Sequence, residues 1–421
     1  MALTLILILV LFFISVPIAL ALGIAPLAAL WERGMPLIVV PQTVFEALDS
    51  FALMAVPFYV LAGKLMDQAG IAQRLINFAY SLVNWFRGGL GSASVLSTMF
   101  FSTISGSSSA TAAAIGTVLI PRMKAVGYPK PFAAAIVASS AELGVILPPS
   151  VPMIIYGVVT GVSITDLFIA GIIPGIMIGV SLILTVAVVA RLRKYGKAER
   201  MGKREWAGNV WASFRKALLS LCMPIIILGG IYLGVFTATE AAVVAVVFAF
   251  MVGKFVYGSI AWRDLPGIFS SAALTSAVVL VIVGFAAVLA YALSLFRAPQ
   301  QVAELMLSVS ENPLVFLLLV NILLLVVGMF METFAAIIVL APVLAPVAAL
   351  MGINPIHFAL VMITNLAIGM VTPPVGVNLF IACSVAGIRV EEIVKPLLIF
   401  LAVLLANLMV ITYVPMFGLP F

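Results

Sequence analysis

Charge is what this chain most lacks. Only 9% of its 421 residues are Asp, Glu, Lys or Arg, while 65% are hydrophobic. Soluble domains carry roughly a quarter charged residues, so a water-soluble globular protein is excluded. Histidine occurs once and cysteine twice. One histidine and no Cys/His cluster argue against haem, iron–sulfur and zinc centres. Cys222 and Cys383 lie in separate apolar segments, too few for a disulfide framework, and read as packing residues. No nucleophile–base pair or metal-ligand set appears, which argues against an enzyme. The longest polar stretch, 191–216, reads as a loop rather than a domain. The first segment, Ala2 to Leu22, lacks the basic leader and small-residue cleavage site of a secretory signal and is expected to be a retained membrane helix.

What the chain has instead is a succession of apolar runs close to the roughly 20 residues that cross a bilayer. Spans are expected near 2–22, 51–67, 132–157, 167–190, 218–235, 238–257, 275–296, 356–386 and 395–416. Residues 23–50 could hold another short crossing or interfacial helices around Trp31 and Pro41. The formal net charge is +6, and nine of the 21 Lys and Arg residues fall between Arg191 and Lys216. Such a segment could bind nucleic acid or anionic lipid. Beside membrane helices it better marks orientation, placing 191–216 in the cytoplasm; no nucleic-acid partner is expected.

Two stretches, 89–120 and 314–345, do not read as ordinary spans. The first carries Ser102-Thr103-Ile104-Ser105-Gly106-Ser107-Ser108-Ser109 in the middle of an apolar run. As one helix it would be about 48 Å long, well beyond a hydrocarbon core of roughly 30 Å. Folding at the Ser-Gly cluster predicts a re-entrant hairpin with two half-length arms meeting near mid-membrane. The second stretch should break likewise around Gly328-Met329-Phe330-Met331-Glu332-Thr333. Backbone breaks at that depth are tolerated only inside protein or along a polar cavity.

A shift of 225 residues superimposes the two stretches and the apolar segments C-terminal to them. Pro121 falls on Pro346, Gly127 on Gly352, Gly144 on Gly369, and Pro148-Pro149 on Pro373-Pro374, without a gap. Proline lacks the N–H that a helix needs and glycine weakens helical order. Duplicated breaks in apolar segments point to the binding site of a secondary transporter. Five crossings separate the hairpins, and an odd number inverts the second repeat. With 191–216 cytoplasmic, the first hairpin opens to the cytoplasm, in keeping with Arg87, Arg122, Lys124 and Lys130 on its flanks. Residues 346–354, after the second, carry no charge. The expected fold is an all-α polytopic inverted-repeat protein with two re-entrant hairpins and two broken helices. Residues 1–87 hold N-terminal scaffold helices and a connecting arm. Residues 88–166 carry the first transport elements, and 167–297 more scaffold. A second arm at 298–312 leads to the second transport elements at 313–390 and a C-terminal helix at 391–421.

Each repeat supplies a hairpin tip and a helix broken at Gly-x-x-x-Pro-Pro. The prolines at 148 and 149 remove two donors, leaving carbonyls near Gly144 and Val145 without helical partners. Such carbonyls beside hydroxyls make a neutral oxygen cage for a small hard cation, and half-helix N-termini face anionic groups. No histidine or carboxylate relay crosses the membrane, which favours sodium over proton coupling. Three carboxylates stand at or near membrane depth, where such groups are functional by default. Glu142 lies beside the first break and Glu332 at the second tip; either could instead cap a half-helix. Glu240, in Thr237-Ala-Thr-Glu240, resembles a helix start capped by Thr239 or Thr237. His357 reads as a surface or packing histidine. Asn365 and Asn378 flank the second break and either serve the site or brace the hairpin.

Ile104-Ser-Gly-Ser107, Leu147-Pro-Pro-Ser150, Met331-Glu-Thr-Phe-Ala-Ala336, Asn365-Leu-Ala-Ile-Gly369 and Thr372-Pro-Pro-Val-Gly376 together resemble the large membrane (M) subunit of tripartite ATP-independent periplasmic (TRAP) transporters. The resemblance runs over nearly the whole chain. It implies an ion-transporter-superfamily elevator fold in a bacterial inner membrane, importing an organic acid such as a dicarboxylate, sialic acid or sugar acid. Sodium would drive uptake, a periplasmic binding protein (P) would deliver the acid, and a small four-helix subunit (Q) would widen the scaffold. Fused relatives carry that small subunit ahead of the large one; here a separate partner chain is expected. Carried onto this chain, the resemblance puts one sodium near Ser102, Thr103, Gly144, Leu147 and Pro148. A second falls near Gly328, Gly369, Thr372 and Val375. Substrate would lie near Ser107, Ser108, Glu332, Thr333 and Asn378, with Asn365 and Glu142 as further candidates. Glu142 departs from the small or apolar residue expected there. The competing reading is a stand-alone sodium- or proton-coupled anion symporter or antiporter of the same superfamily, which would need no binding protein.

Overall fold

In the computed structural model, residues 16–196, 202–298 and 312–414 are described continuously, with residues 7, 10, 11, 14, 300, 301 and 304 besides. About half of the expected first span, 2–22, therefore lies outside the described residues, as does most of the connecting arm at 298–312. The described residues form helices and no strands.

The repeat sets the helix boundaries. The first hairpin is α5 (Gly89–Ser105) and α6 (Ser108–Ala125); its counterpart is α14 (Pro313–Phe330) and α15 (Thr333–Leu350). The first broken helix is α7 (Lys130–Ala141), a single turn α8 (Leu143–Ile146), then α9 (Val151–Thr160); its counterpart is α16 (Pro355–Gly369) and α17 (Val377–Ala386). The halves of the first are bent by 41°. Both Pro-Pro bonds, Pro148-Pro149 and Pro373-Pro374, are cis. The long helix after each unit is α10 (Ile164–Leu192) in the first and α18 (Val390–Tyr413) in the second.

The correspondence extends upstream. Shifted by the same distance, α1 (Ile18–Glu32) falls on α12 (Ala238–Met251) and the π turn Val252–Val256. The pair α2 (Val39–Leu48) and α3 (Ala55–Gln68) falls on one continuous helix, α13 (Leu265–Leu295). In the first repeat that pair is bent by 67°. Residues 23–50 thus hold the end of α1 and a ten-residue α2 with no buried residue. At about 15 Å, α2 is too short to cross a bilayer alone.

Two expectations need correction. The 191–216 segment is not one loop: α11 (Lys203–Tyr232) starts within it. Lys, Arg, Glu, Trp and Ala are compatible with helix, and no proline intervenes before Pro224, so polarity here reports exposure rather than disorder of the backbone. The hairpin bounds also differ: the arms are half-length as expected, with 17 or 18 residues each, about 26 Å of helix, but the second arms run on past 120 and 345. Pro121 and Pro346 are accommodated inside them.

Packing places the broken helices at the centre. Both arms of each hairpin pack on their own broken helix, α5 and α6 on α7, α14 and α15 on α16. Every residue of α7 from Phe132 to Ala141 and of α16 from His357 to Gly369 is buried, as expected for helices apolar on all sides. The repeats also interlock. The half-helix α9 packs on α15 and α17 on α6, while α10 packs on α16 and α18 on α7. Farther out, α1 packs on α13 and α3 on α12, again across the repeats. The connecting helix α4 (Ile71–Val83) buries Ile71, Leu75, Ile76 and Phe78 against α5 and α11. Outer helices leave large apolar side chains exposed, Leu184, Ile225 and Leu274 among them, the pattern of a surface facing lipid.

A candidate transport site between the hairpin tips

The first tip turns through Gly106, whose φ of 60° is left-handed and suits glycine. A Cβ there would also lie 3.2 Å from the Pro149 carbonyl oxygen. Ser107 caps α6, its hydroxyl accepting from the Ala110 N–H at 3.4 Å. The Gly106 carbonyl accepts from the N–H of Val151, the first residue of α9, at 3.3 Å. In the second repeat the Gly376 N–H, just ahead of α17, donates to the Met329 carbonyl at 2.9 Å. Each tip is therefore tied to the half-helix beyond its own Pro-Pro pair.

The tips also meet each other. Ser109 Oγ donates to Glu332 Oε1 at 3.3 Å, and Ser107 Oγ lies 3.2 Å from Ser109 Oγ. The repeat-related hydroxyls of Ser108 and Thr333 both donate to Met370 Sδ, at 3.5 and 3.1 Å. The N-termini of α6, α9, α15 and α17 are thus drawn into one region. Their helix dipoles concentrate partial positive charge, so an anion can be held here without an arginine.

Around each break, backbone oxygens lose their usual partners. The helical donors for Gly144 and Gly369 would be Pro148 and Pro373, which have no N–H; Gly369 is met instead by the Thr372 N–H at 2.9 Å. The Val145 carbonyl accepts from Ser150 Oγ at 2.6 Å. In the first half, Ser102 Oγ donates to the Thr98 carbonyl and Thr103 Oγ1 to that of Phe100, at 2.6 and 2.7 Å. In the second, Thr372 Oγ1 donates to the Ile368 carbonyl at 2.7 Å. With their protons directed into their own helices, these hydroxyls keep lone pairs for a cation. The elements expected to share each ion are adjacent. The arm α5 packs on α8, which carries Gly144. Leu147 lies beside the break with its side chain against Gly175. A Cβ on Gly328 would come within 3.0 Å of the Gly369 Cα. Val375 stands next to the Gly376 N–H that binds the second tip. The halves are not identical: a Cβ on Gly144 would meet the Ser107 oxygen at 2.7 Å, so this glycine closes on the tip rather than on the first arm.

Asn378 is not held open. Its Nδ2 donates to Glu142 Oε1 at 2.8 Å, and both side chains are fully buried. Glu142 thus reaches across from one repeat to the other. Glu142 Oε2 and Asn378 Oδ1 have no hydrogen-bond partner. Asn365 braces: its Nδ2 bonds to Asn321 Oδ1 on α14, and Asn321 Nδ2 donates to Thr412 Oγ1 at 3.1 Å. His357 Nε2 bonds to the Thr412 carbonyl at 3.1 Å, a packing role. Glu240 lies outside the site, in a capping box with Thr237. Met370, Asn321 and Thr412 were not singled out by the sequence, and Ser109 appeared there only within the hydroxyl cluster of the first tip. Only the 225-residue register, which pairs Ser108 with Thr333, hints at a shared partner such as Met370.

The family described as "Tripartite ATP-independent periplasmic transporter, DctM component" matches residues 5–417. The chain belongs to this family. It is similar to the C4-dicarboxylate TRAP transporter large permease protein DctM of Pseudomonas aeruginosa, 41% identical over 88% of this chain and 86% of that protein. It is also similar to the isethionate TRAP transporter permease protein DctMQ of Oleidesulfovibrio alaskensis, 40% identical over 94% of this chain. The match spans 62% of that longer protein. Among solved structures, the Alcanivorax borkumensis YdaH transporter superimposes with a TM-score of 0.58 at 16% identity, covering 89% of this chain and 86% of the other. That likeness supports the fold. The chain is therefore a multi-pass transporter permease of the TRAP family and not an enzyme.

Proposed function

We propose that this chain is the large membrane subunit of a sodium-driven importer of a small organic anion, working in a bacterial inner membrane with the 191–216 segment cytoplasmic. A periplasmic binding protein delivers the anion, and a small membrane subunit completes the scaffold. The hairpins and broken helices move together as an elevator against the outer helices. One observation carries the reading: two repeat-related sets of proline-freed carbonyls and back-bonded hydroxyls flank a junction where four helix N-termini gather. Neutral oxygen cages suit a hard monovalent cation, and the N-termini suit an anionic group. One sodium is assigned to Ser102, Thr103, Gly144, Leu147 and Pro148, the other to Gly328, Gly369, Thr372 and Val375. The substrate lies by Ser107, Ser108, Glu332 and Thr333, with Asn378 and Glu142 forming its buried floor.

The two relatives carry substrates that differ in charge and acid type, a dicarboxylate and a sulfonate, at nearly equal identity to this chain. The shared chemistry is a small organic anion, and the binding protein selects among such anions. The test is uptake into proteoliposomes of radiolabelled C4-dicarboxylate, isethionate and sialic acid, with cognate partners and an inward sodium gradient. Accumulation that collapses when the gradient is removed is expected. Uptake by this chain alone would favour the stand-alone symporter, and uptake indifferent to sodium would overturn the coupling.

A further inference from the structure

The basic segment marks orientation in the sequence, and in the fold part of it also builds a cavity. A space of about 790 Å³ lies between α4, the start of α11 and the π turn near Tyr257. Arg74, Arg215 and Lys216 line it together with Asn77, Ser213 and Tyr257, and among the described residues no Asp or Glu does. Arg74 is fixed in place. Its Nη1 donates to the Ala69 and Gly70 carbonyls at 3.0 Å each, and its guanidinium lies 3.5 Å from the Tyr257 ring centroid. Arg122, on the first hairpin, reaches the rim, donating to Asn77 Oδ1 at 3.3 Å. Among the described residues the ion pairs are Arg263–Asp264 and Arg389–Glu392, both elsewhere. Three cations are therefore gathered into one cavity with no carboxylate among the described lining residues to neutralise them.

We propose that this cavity binds a phosphate-bearing anion, with Arg74, Arg215 and Lys216 as its cationic contacts. Guanidinium and ammonium donors beside amide and hydroxyl groups match the many acceptor oxygens of a phosphate. Phosphate can come from a lipid headgroup or from solution. The surroundings speak for lipid: Trp211, one turn before Arg215, is 61% exposed and Trp85 is 59% exposed, as aromatic side chains are where a membrane meets water. A bound headgroup would bridge the connecting helix α4 and α11 beside Arg122 of the hairpin.

The test uses the full chain, purified in neutral detergent and stripped of lipid. Native mass spectrometry reads binding of phosphatidylglycerol and phosphatidylcholine, and thermal unfolding is followed with phosphatidylglycerol or with inorganic phosphate. The variants are Arg215→Gln/Lys216→Gln, on exposed positions that leave folding intact, and Lys203→Gln/Arg204→Gln, on the same helix but outside the lining. Phosphatidylglycerol binding should weaken roughly tenfold or more in the first variant and stay unchanged in the second. Stabilisation by phosphatidylglycerol alone identifies the lipid as the source. Stabilisation by inorganic phosphate that Arg215→Gln/Lys216→Gln loses identifies the free ion. Equal binding by wild type and Arg215→Gln/Lys216→Gln, or equal loss in both variants, overturns the proposal.

Discussion

Ser109 Oγ donates to Glu332 Oε1 at 3.3 Å across 223 residues of sequence. This bond joins the tips of two hairpins that the repeat places in corresponding positions. Glu332 stands at the N-cap of α15 without capping it by its side chain, so its carboxylate is directed to the opposite tip. There it presents the same chemistry as the organic anion proposed as substrate, next to helix N-termini that attract anions.

Glu332→Gln should therefore lower uptake at least about tenfold, because removing a charge-assisted hydrogen bond is worth roughly 1.5–3 kcal/mol. Ser109→Ala should have a smaller effect in the same direction. Melting temperatures read alongside separate transport from folding. Normal uptake by a well-folded Glu332→Gln protein would remove this carboxylate from the site.

Glu142 and Asn378 supply a second link between the repeats, at 2.8 Å and out of contact with solvent. Glu142→Gln keeps the shape and the acceptor and should fold within about 1 kcal/mol of wild type. Glu142→Leu leaves the Asn378 amide unpaired inside the protein and should destabilise by about 1–3 kcal/mol. Thermal unfolding in detergent measures both, and equal stability of the two variants would contradict the pairing.

At Gly328 and Gly369 two helices touch through backbone. A Cβ on Gly328 would lie 2.8 Å from the Leu366 carbonyl oxygen. Gly328→Ala should destabilise by about 1–3 kcal/mol through overpacking. Gly127→Ala, by contrast, meets open space and suffers only from its φ of 95°. Size-exclusion yield and melting temperature check the first prediction; an unperturbed Gly328→Ala protein would refute the close contact.

The breaks were legible from sequence because they are local chemistry. Paired prolines without an N–H at 148, 149, 373 and 374, and glycine at 106, set the backbone locally, whereas the single Pro121 and Pro346 are accommodated inside helices. The helix boundaries accordingly track the repeat closely, α6 and α15 starting at Ser108 and Thr333. What lay hidden depends on which faces meet. Nothing in the neighbourhood of Asn321 announces that it joins Asn365 to Thr412. Nor does anything near Met370 show that its sulfur receives hydroxyls from both tips. Glu142 stands out as a departure in the sequence, and its partner Asn378 lies 236 residues away. The basic stretch misled for a different reason: polarity excludes it from the bilayer but not from a helix.

Asn321→Leu removes the middle of that buried amide chain. It should leave Asn365 unpaired and lower stability by about 1–3 kcal/mol, with the loss read by thermal unfolding. Asn365→Leu made in the same protein should then add less than it does alone, since both act on one network. Additive losses would show that the two amides are independent.

The central claim is that the paired breaks hold the driving ions, and Thr372 tests it most directly. Its hydroxyl back-bonds to Ile368 at 2.7 Å beside the Pro373-Pro374 break, so Thr372→Val removes an oxygen while keeping the side chain's volume. In proteoliposomes with the partner proteins, the sodium concentration for half-maximal uptake should rise at least about fivefold, the effect of one lost oxygen ligand worth about 1 kcal/mol. Substrate affinity at saturating sodium should stay close to wild type. A sodium activation curve indistinguishable from wild type, in a protein that folds normally, would contradict the account.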